Sequence, residues 1–293
     1  MGEEVTMNNY ENSVLTRIIS DYSQKELVNI CRQLNKNYNI YDTEDARWSI
    51  ISHAFYRTDD LYIEELKKTV LSNRLINDLL FVYYPCERVI KYYLIERLLH
   101  HKDDIVAFEM SVGGSRIDIC RINGGSYAYE IKTEFDSYDR LQGQMSDYLK
   151  YFEKVYVVVP KQNAKLVCDY IPKECGIITY RFSNNKRIIF DYYRKSTKHK
   201  CDIDLCLKNL SSQDLSLLLK ISGNQDKEDK QSKIDYIIQN MENAKKELLY
   251  KRVLKSKYYS NWLFIVNNFN EILPIDVQSF FSSTMNPSIL YEK

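Results

Sequence analysis

The chain has 293 residues, of which 44% are hydrophobic and 28% are charged, and its formal net charge is +1. This balance is typical of a globular protein and excludes a highly charged disordered chain. Any binding to nucleic acid must therefore depend on local basic patches and not on the overall charge.

The sequence gives no sign of a membrane protein or a disulfide-stabilised one. It contains no run of about 18 apolar residues, so no membrane-spanning helix is predicted. The seven cysteines are scattered and form no CxxC motif, and no signal peptide is apparent. We therefore expect a cytoplasmic protein with reduced thiols and no membrane partner.

Three regions follow one another along the chain. Residues 1–84 are predicted to be helical, beginning with a segment in which Ser23 and Glu26 have capping-box spacing. Residues 85–195 alternate between helical and strand patterns. Residues 196–293 are predicted to be helical again, after the basic stretch "RKSTKHK".

The middle region predicts a mixed β-sheet flanked by helices, an α/β (α+β) fold with helical N- and C-terminal extensions. A helix that begins near Pro85 is followed by strands and one further long helix. The run "VYVVVP" is continuously apolar, as in a strand covered on both faces. The predicted elements are a half-buried strand at 106–112, a hairpin at 115–132, a helix at 136–152, and strands at 155–160, 176–180 and 187–193.

The hairpin contains an Asn-Gly-Gly turn at 123–125. A three-residue loop pairs Ile122 with Ser126 and places Asp118 directly opposite Glu130. A two-residue loop would put these acids on opposite faces. The first register is favoured, because only it places the apolar residues of both strands on one face, which leaves the acids facing away from the core.

Two opposed carboxylates repel each other unless a cation lies between them or one is protonated. A hard divalent cation, Mg²⁺ or Mn²⁺, suits such a pair. Lys132 adds a positive charge that can orient or deprotonate a water or stabilise charge on a phosphate. The set points to phosphodiester hydrolysis; the alternative is a solvated hairpin face with a surface ion pair.

The segment "RIDICRINGGSYAYEIK", with the helix before it and "DSYDRLQGQMSDYLKYFEKVYVVVP" after it, resembles the PD-(D/E)XK nuclease superfamily. It is similar to a bacterial and phage branch with R-x-D-I, a turn, Y/F-E-I-K and a helix containing R-L-x-x-Q. The resemblance covers about 85–160 and implies a restriction-endonuclease-like core. One departure is Ile117, which stands where other members have Pro.

The resemblance also implies roles for individual residues. Asp118 and Glu130 would bind Mg²⁺ (or Mn²⁺) together with the backbone carbonyl of Ile131, and Lys132 would assist catalysis. Gln144 would bond a phosphate or the attacking water, with a helix-surface amide as the alternative.

Glu87 and Glu109 are two further acids near this set. Glu87 lies on the helix seam that faces the predicted sheet, where the superfamily often completes its metal site. The alternative for Glu87 is a first-turn glutamate favoured by the helix dipole. Glu109 shares a strand face with Ala107 and Ser111 and is not predicted to bind the metal.

Four basic residues are predicted to contact nucleic acid. Arg116 and Arg140 flank the acids, although Arg140 has Asp136 at i, i+4 spacing as an alternative partner. Lys230 and Lys233 open a helix in a segment that is similar to SAP-type DNA-binding hairpins. The alternative for this segment is a hairpin packed on the core.

These features predict a Mg²⁺-dependent nuclease, with DNA as the favoured substrate and partner. The alternative is a catalytically inactive nuclease-fold protein that binds nucleic acid or acts in regulation. The oligomeric state stays open, with a homodimer among the options.

Overall fold

The computed structural model describes residues 13–99, 103–183 and 187–291. Within these ranges the chain forms two compact units. The first contains the described residues up to Tyr93 and those from Ile265 onward, and the second is Leu94–Phe264. The first twelve residues of the predicted N-terminal region lie outside the described residues.

The first unit begins with helices, as predicted. At the start of α2 the Ser23 side chain accepts from the Glu26 amide, and the Glu26 carboxylate accepts from the Ser23 amide. This reciprocal pair is the predicted capping box, which is confirmed. The helices are α1 (Ser13–Ser20), α2 (Gln24–Asn37), α3 (Glu44–Ala54), α4 (Asp60–Thr69), α5 (Ser72–Tyr83) and α6 (Glu87–Leu98), the last of which continues into the second unit.

The second unit is built on one six-stranded sheet whose strands follow chain order. Its strands are β1 (Ile105–Val112), β2 (Ser115–Asn123), β3 (Gly125–Ile131), β4 (Lys154–Pro160), β5 (Gly176–Phe182) and β6 (Ile188–Arg194). The first three are antiparallel, β3, β4 and β5 are parallel, and β6 is antiparallel to β5. The predicted mixed sheet flanked by helices is confirmed.

Parallel neighbours need a crossover connection, because the chain must return to the end of the sheet where it started. The helix α7 (Leu141–Tyr151) makes this connection between β3 and β4, and the short α8 (Ala164–Val167) follows β4. Every residue of β4 after Lys154 is buried, as its apolar run predicts.

The expectation of a half-buried β1 and of a hairpin face directed away from the core is wrong. Ala107 and Cys120, which share the supposedly outer face, are 1% and 0% exposed. The sheet is covered on both faces, because helices of the second unit pack on the acidic side as well. The acids of the hairpin therefore lie in a buried environment.

The chain after the sheet is again helical. Its helices are α9 (Ile203–Asn209), α10 (Ser212–Ile221), α11 (Lys230–Asn240), α12 (Asn243–Asn268), α13 (Val277–Ser283) and α14 (Pro287–Tyr291). Within the described ranges, none of the helices combines the length and the apolar character needed to cross a membrane. The division at 84 and 195 stays a prediction, and all six strands fall between these positions.

The buried carboxylate of Asp276 connects two residues of the first unit that are far apart in the sequence. Asp276 is fully buried, and its Oδ2 accepts hydrogen bonds from the hydroxyls of Tyr38 at 3.0 Å and Tyr291 at 2.9 Å. Its Oδ1 has no hydrogen-bond partner among the described residues. Burial raises the pKa of Asp276 to about 7, against the opposing effect of the two hydroxyl donors.

This raised pKa makes the first unit less stable as the pH rises. In the unfolded chain Asp276 loses its proton near its ordinary pKa of 3.8, whereas in the folded unit it holds the proton to about 7. The free energy of unfolding therefore falls between these two values and levels off above them, by a few kcal/mol at most. Asp276→Asn should remove this part of the slope.

The measurement is chemical unfolding from pH 4.5 to 8, followed by the fluorescence of Trp48. A Trp262→Phe background leaves Trp48 as the only tryptophan. An equal pH slope with and without Asp276→Asn would show that Asp276 does not hold its proton in the folded unit.

Candidate functional site

The hairpin of β2 and β3 has the predicted register. Ile122 pairs with Ser126, and the tip closes with Asn123 opposite Gly125. Gly124 at the tip has φ +65°, a conformation that glycine adopts without a steric penalty. The three-residue loop is thus confirmed, and this register decides which side chains of the two strands stand level.

Asp118 continues this register beyond the last paired residues, Ile119 and Tyr129, and comes level with Glu130. Its Oδ2 accepts a hydrogen bond of 2.6 Å from the Ile131 amide, so the side chain reaches across to β3. The residue is only 8% exposed. The hairpin thus holds the Asp118 carboxylate against the strand that carries the second acid.

Both oxygens of Glu130 have partners from different elements. Lys132 Nζ lies 2.9 Å from Oε1, as expected for two residues on one strand face. The Tyr148 hydroxyl of α7 lies 2.8 Å from Oε2 and 2.8 Å from the Arg116 carbonyl oxygen, so its proton is shared between two acceptors. Glu130 is 2% exposed and Tyr148 is fully buried, which fixes the carboxylate in place.

The two acids act on the same neighbouring groups. Burial alone would lower the pKa of Lys132, but the charges of Glu130 and Asp118 outweigh it and raise that pKa. Burial raises the pKa of the Tyr148 hydroxyl, and Glu130 and Asp118 raise it further. Lys132 therefore stays an ammonium and Tyr148 stays a neutral hydrogen-bond donor at neutral pH.

A third carboxylate, which sequence reasoning did not assign to the site, lies on the other side of Asp118. The pairs Phe108–Ile119 and Met110–Ile117 place Glu109 level with Asp118. Glu109 has φ +53°, and one of its carboxylate oxygens lies within 4.8 Å of one of Asp118. The sequence feature that could have revealed this neighbour is the Gly113–Gly114 turn, because a two-residue hairpin loop there sets Glu109 opposite Asp118.

The chemistry of this cluster fits a hard divalent cation. All of its acidic groups offer oxygen, the ligand that Mg²⁺ and Mn²⁺ prefer. The Gln144 side chain bonds the Tyr148 hydroxyl, and its Oε1 is buried with no partner among the described residues. A buried acceptor without a protein partner suits a bound water or cation. The contact of Gln144 with a phosphate or a water stays a prediction.

Glu87 belongs to the first unit, where it lies in the first turn of α6. Its carboxylate is 2.5 Å from Nζ of Lys91, a fully buried lysine one turn later. This ion pair agrees with the predicted inward seam of α6 around Lys91. The participation of Glu87 in the metal site stays a prediction, as does that of the Ile131 carbonyl.

The two arginines predicted to contact nucleic acid, Arg116 and Arg140, lie in different surroundings. Arg116 is exposed on β2 with Nε 2.5 Å from Glu109 Oε2. Arg140 is exposed immediately before α7. The helix predicted from 136 begins only at Leu141, because the Asp136 carboxylate instead accepts from the amide and hydroxyl of Thr133. A helical Asp136–Arg140 pair is therefore wrong.

Lys230 and Lys233 lie in the first turn of α11. Lys230 is exposed. Lys233 is 5% exposed, and its Nζ contacts the hydroxyls of Ser212 and Ser216 at 3.0 and 2.7 Å. These contacts hold α11 against α10, so Lys233 has a packing role. Its contact with a phosphate stays a prediction.

The shared hydroxyl of Tyr148 predicts a stability effect. Tyr148→Phe removes a buried donor and leaves Glu130 Oε2 and the Arg116 carbonyl without it, at a cost of about 1–3 kcal/mol. The matched control is Tyr151→Phe on the same helix, whose hydroxyl faces Gly113 instead of a carboxylate. Urea unfolding measures both, and equal losses would argue against the bond to Glu130.

Comparison with known proteins connects the sheet to a phage family. The family model described as Bacteriophage P4 protein cII matches residues 84–280. The relative named Protein cII, from Enterobacteria phage P4, is 32% identical over 114 residues, which cover 37% of this chain and 43% of that protein. No solved structure matches significantly. Since the model covers more than half of the 293 residues, the chain belongs to the Bacteriophage P4 protein cII family.

Proposed function

We propose that this protein is a metal-dependent nuclease of the PD-(D/E)XK type that hydrolyses phosphodiester bonds, with DNA as its favoured substrate. The observation that carries the proposal is the hairpin register, which brings Asp118 and Glu130 together and places Lys132 within 2.9 Å of Glu130. A mixed sheet with α7 as its crossover is the frame that a restriction-endonuclease-like core requires.

Asp118 and Glu130 would hold Mg²⁺ or Mn²⁺, and the Ile131 carbonyl and Glu87 are the further ligands that the resemblance suggests. When bound, such an ion polarises the phosphodiester and stabilises the charge that develops on its oxygens. The protein's own part is to fix the carboxylates, through the Ile131 amide on Asp118 and the Tyr148 hydroxyl on Glu130.

Lys132 acts as a cation in this scheme and not as a general base. The charges of Glu130 and Asp118 raise its pKa in the cation-free protein, which favours the ammonium form over the free amine that a general base needs. An ammonium held beside the acids can orient a water and stabilise negative charge on a phosphate. Of the two roles that the sequence left open, the ion pair with Glu130 supports the cationic one.

Hydrolysis adds the oxygen of a water to phosphorus and breaks one P–O ester bond. In the net reaction one proton moves from the attacking water to the leaving oxygen. Gln144, whose Oε1 has no partner among the described residues, is placed to accept a hydrogen bond from that water. Arg116 is exposed beside Glu109, and Arg140 is exposed immediately before α7. Both suit contacts with the phosphate backbone.

The partner in this function is nucleic acid, and the location is the cytoplasm. Lys230 is exposed at the start of α11 and can contribute to a phosphate contact. Lys233 would have to exchange its contacts with Ser212 and Ser216 to do so.

The test is cleavage of plasmid DNA, linear DNA and RNA by the full chain, with Mg²⁺, with Mn²⁺ and with a chelator. Lys132→Ala should lower the rate about 10²–10³-fold, because it removes the preorganised charge beside the phosphate. Asp118→Asn should lower it at least as much, and the chelator should abolish cleavage.

The matched control is Lys150→Ala, which removes a lysine paired with an acid, Asp147, at 2.9 Å on the exposed side of α7. It should cleave at the rate of the unaltered protein. Cleavage that survives both Lys132→Ala and Asp118→Asn would contradict the proposed site. Tight binding of nucleic acid without cleavage in either metal would favour the inactive binding protein instead.

A further inference from the structure

Glu109 has a backbone conformation that its sequence does not favour. Its φ of +53° lies in the left-handed region, which residues other than glycine rarely adopt inside a strand. The neighbouring pairs Phe108–Ile119 and Met110–Ile117 keep the regular register on both sides of it. The distortion is therefore confined to Glu109, at the point where β1 passes Asp118.

Two carboxylates lie close together at this point of the sheet. A carboxylate oxygen of Glu109 lies within 4.8 Å of one of Asp118. The Glu109 side chain is 20% exposed and Asp118 is 8% exposed, so water screens their repulsion only in part. Such a pair requires a nearby positive charge.

Arg116 supplies one such charge in the structure. Its Nε lies 2.5 Å from Glu109 Oε2, while its side chain remains 69% exposed. Its main chain is fixed, because its carbonyl oxygen accepts from the Tyr148 hydroxyl at 2.8 Å. The guanidinium can therefore leave Glu109 by rotation of side-chain bonds alone, without movement of the strand.

We propose that Glu109 is a third carboxylate of the cation site and that Arg116 forms an ion pair with it in the cation-free protein. Cation binding then releases the Arg116 guanidinium, which can bind a substrate phosphate. This inference rests on the proposed function and adds a regulatory step to the same site. The divalent ion and the guanidinium compete for one carboxylate, so each weakens the binding of the other.

Competition has a thermodynamic consequence. If the cation frees Arg116, it strengthens nucleic-acid binding, and by reciprocity nucleic acid strengthens cation binding. The free protein then binds neither ligand at full affinity, and the site is completed only when both are present.

The test is the affinity of the full chain for Mn²⁺ alone, read from the electron paramagnetic resonance signal of free Mn²⁺. Glu109→Gln should weaken binding about fivefold or more, because it removes a ligand charge. Arg116→Gln should tighten binding about three- to tenfold, because it removes the competitor. The control Arg181→Gln removes the same charge from an exposed Arg–Asp ion pair, with Asp191 at 3.8 Å, and should change the Mn²⁺ affinity by less than about twofold.

A second readout is the affinity for a short DNA duplex, with and without Ca²⁺, by fluorescence anisotropy. Ca²⁺ should strengthen binding by the unaltered protein, and this gain should shrink in Glu109→Gln, where Arg116 is already released. Circular dichroism checks that each variant is folded. If Glu109→Gln does not fold, the direction of the Arg116→Gln effect decides alone.

The outcomes separate this inference from the proposed function. Mn²⁺ binding that is lost in Asp118→Asn but unchanged in Glu109→Gln and Arg116→Gln would overturn the role of Glu109 and leave the cation site intact. Weaker Mn²⁺ binding in Arg116→Gln would overturn the competition. No Mn²⁺ binding by the unaltered protein would overturn the cation site and this inference together.

Discussion

Acidic side chains on three adjacent strands impose a constraint that the neighbouring groups of the second unit must satisfy. Glu109, Asp118 and Glu130 stand level on β1, β2 and β3, in surroundings that are largely shielded from water. Arg116 forms an ion pair with Glu109, and Lys132 forms one with Glu130. Carboxylates that lie close together in a poorly solvated place repel each other, and an added cation relieves this repulsion.

The topology of the sheet and the chemistry of the cluster depend on the same helix. Because β3 and β4 are parallel, the chain must cross over between them, and α7 is that crossover. The same helix places Tyr148 between Glu130 and the Arg116 carbonyl, with Gln144 one turn earlier beside it. A single helix thus connects two parallel strands and holds the Glu130 carboxylate in place. The charges of Glu130 and Asp118 in turn favour the protonated form of Lys132.

Much of the frame could be predicted because local interactions decide it. The capping box at Ser23 and Glu26 needs only residues three positions apart. The hairpin register follows from the turn residues and from the alternation of apolar side chains, both within about 18 residues of sequence. The buried strand β4 follows from its own composition. Asp118, Glu130 and Lys132 could be predicted as neighbours for the same reason.

The sequence by itself determined the strand and helix order, the hairpin register and the meeting of its charged residues, since these depend on contacts between residues close in the chain. Only the tertiary structure decided that both sheet faces are covered, that Tyr148 holds Glu130, and that Lys233 is buried against α10. It also decided the left-handed backbone conformation of Glu109 and the closeness of its carboxylate to that of Asp118. Each of these depends on packing between distant segments, and neither composition nor periodicity encodes which distant side chain will be opposite.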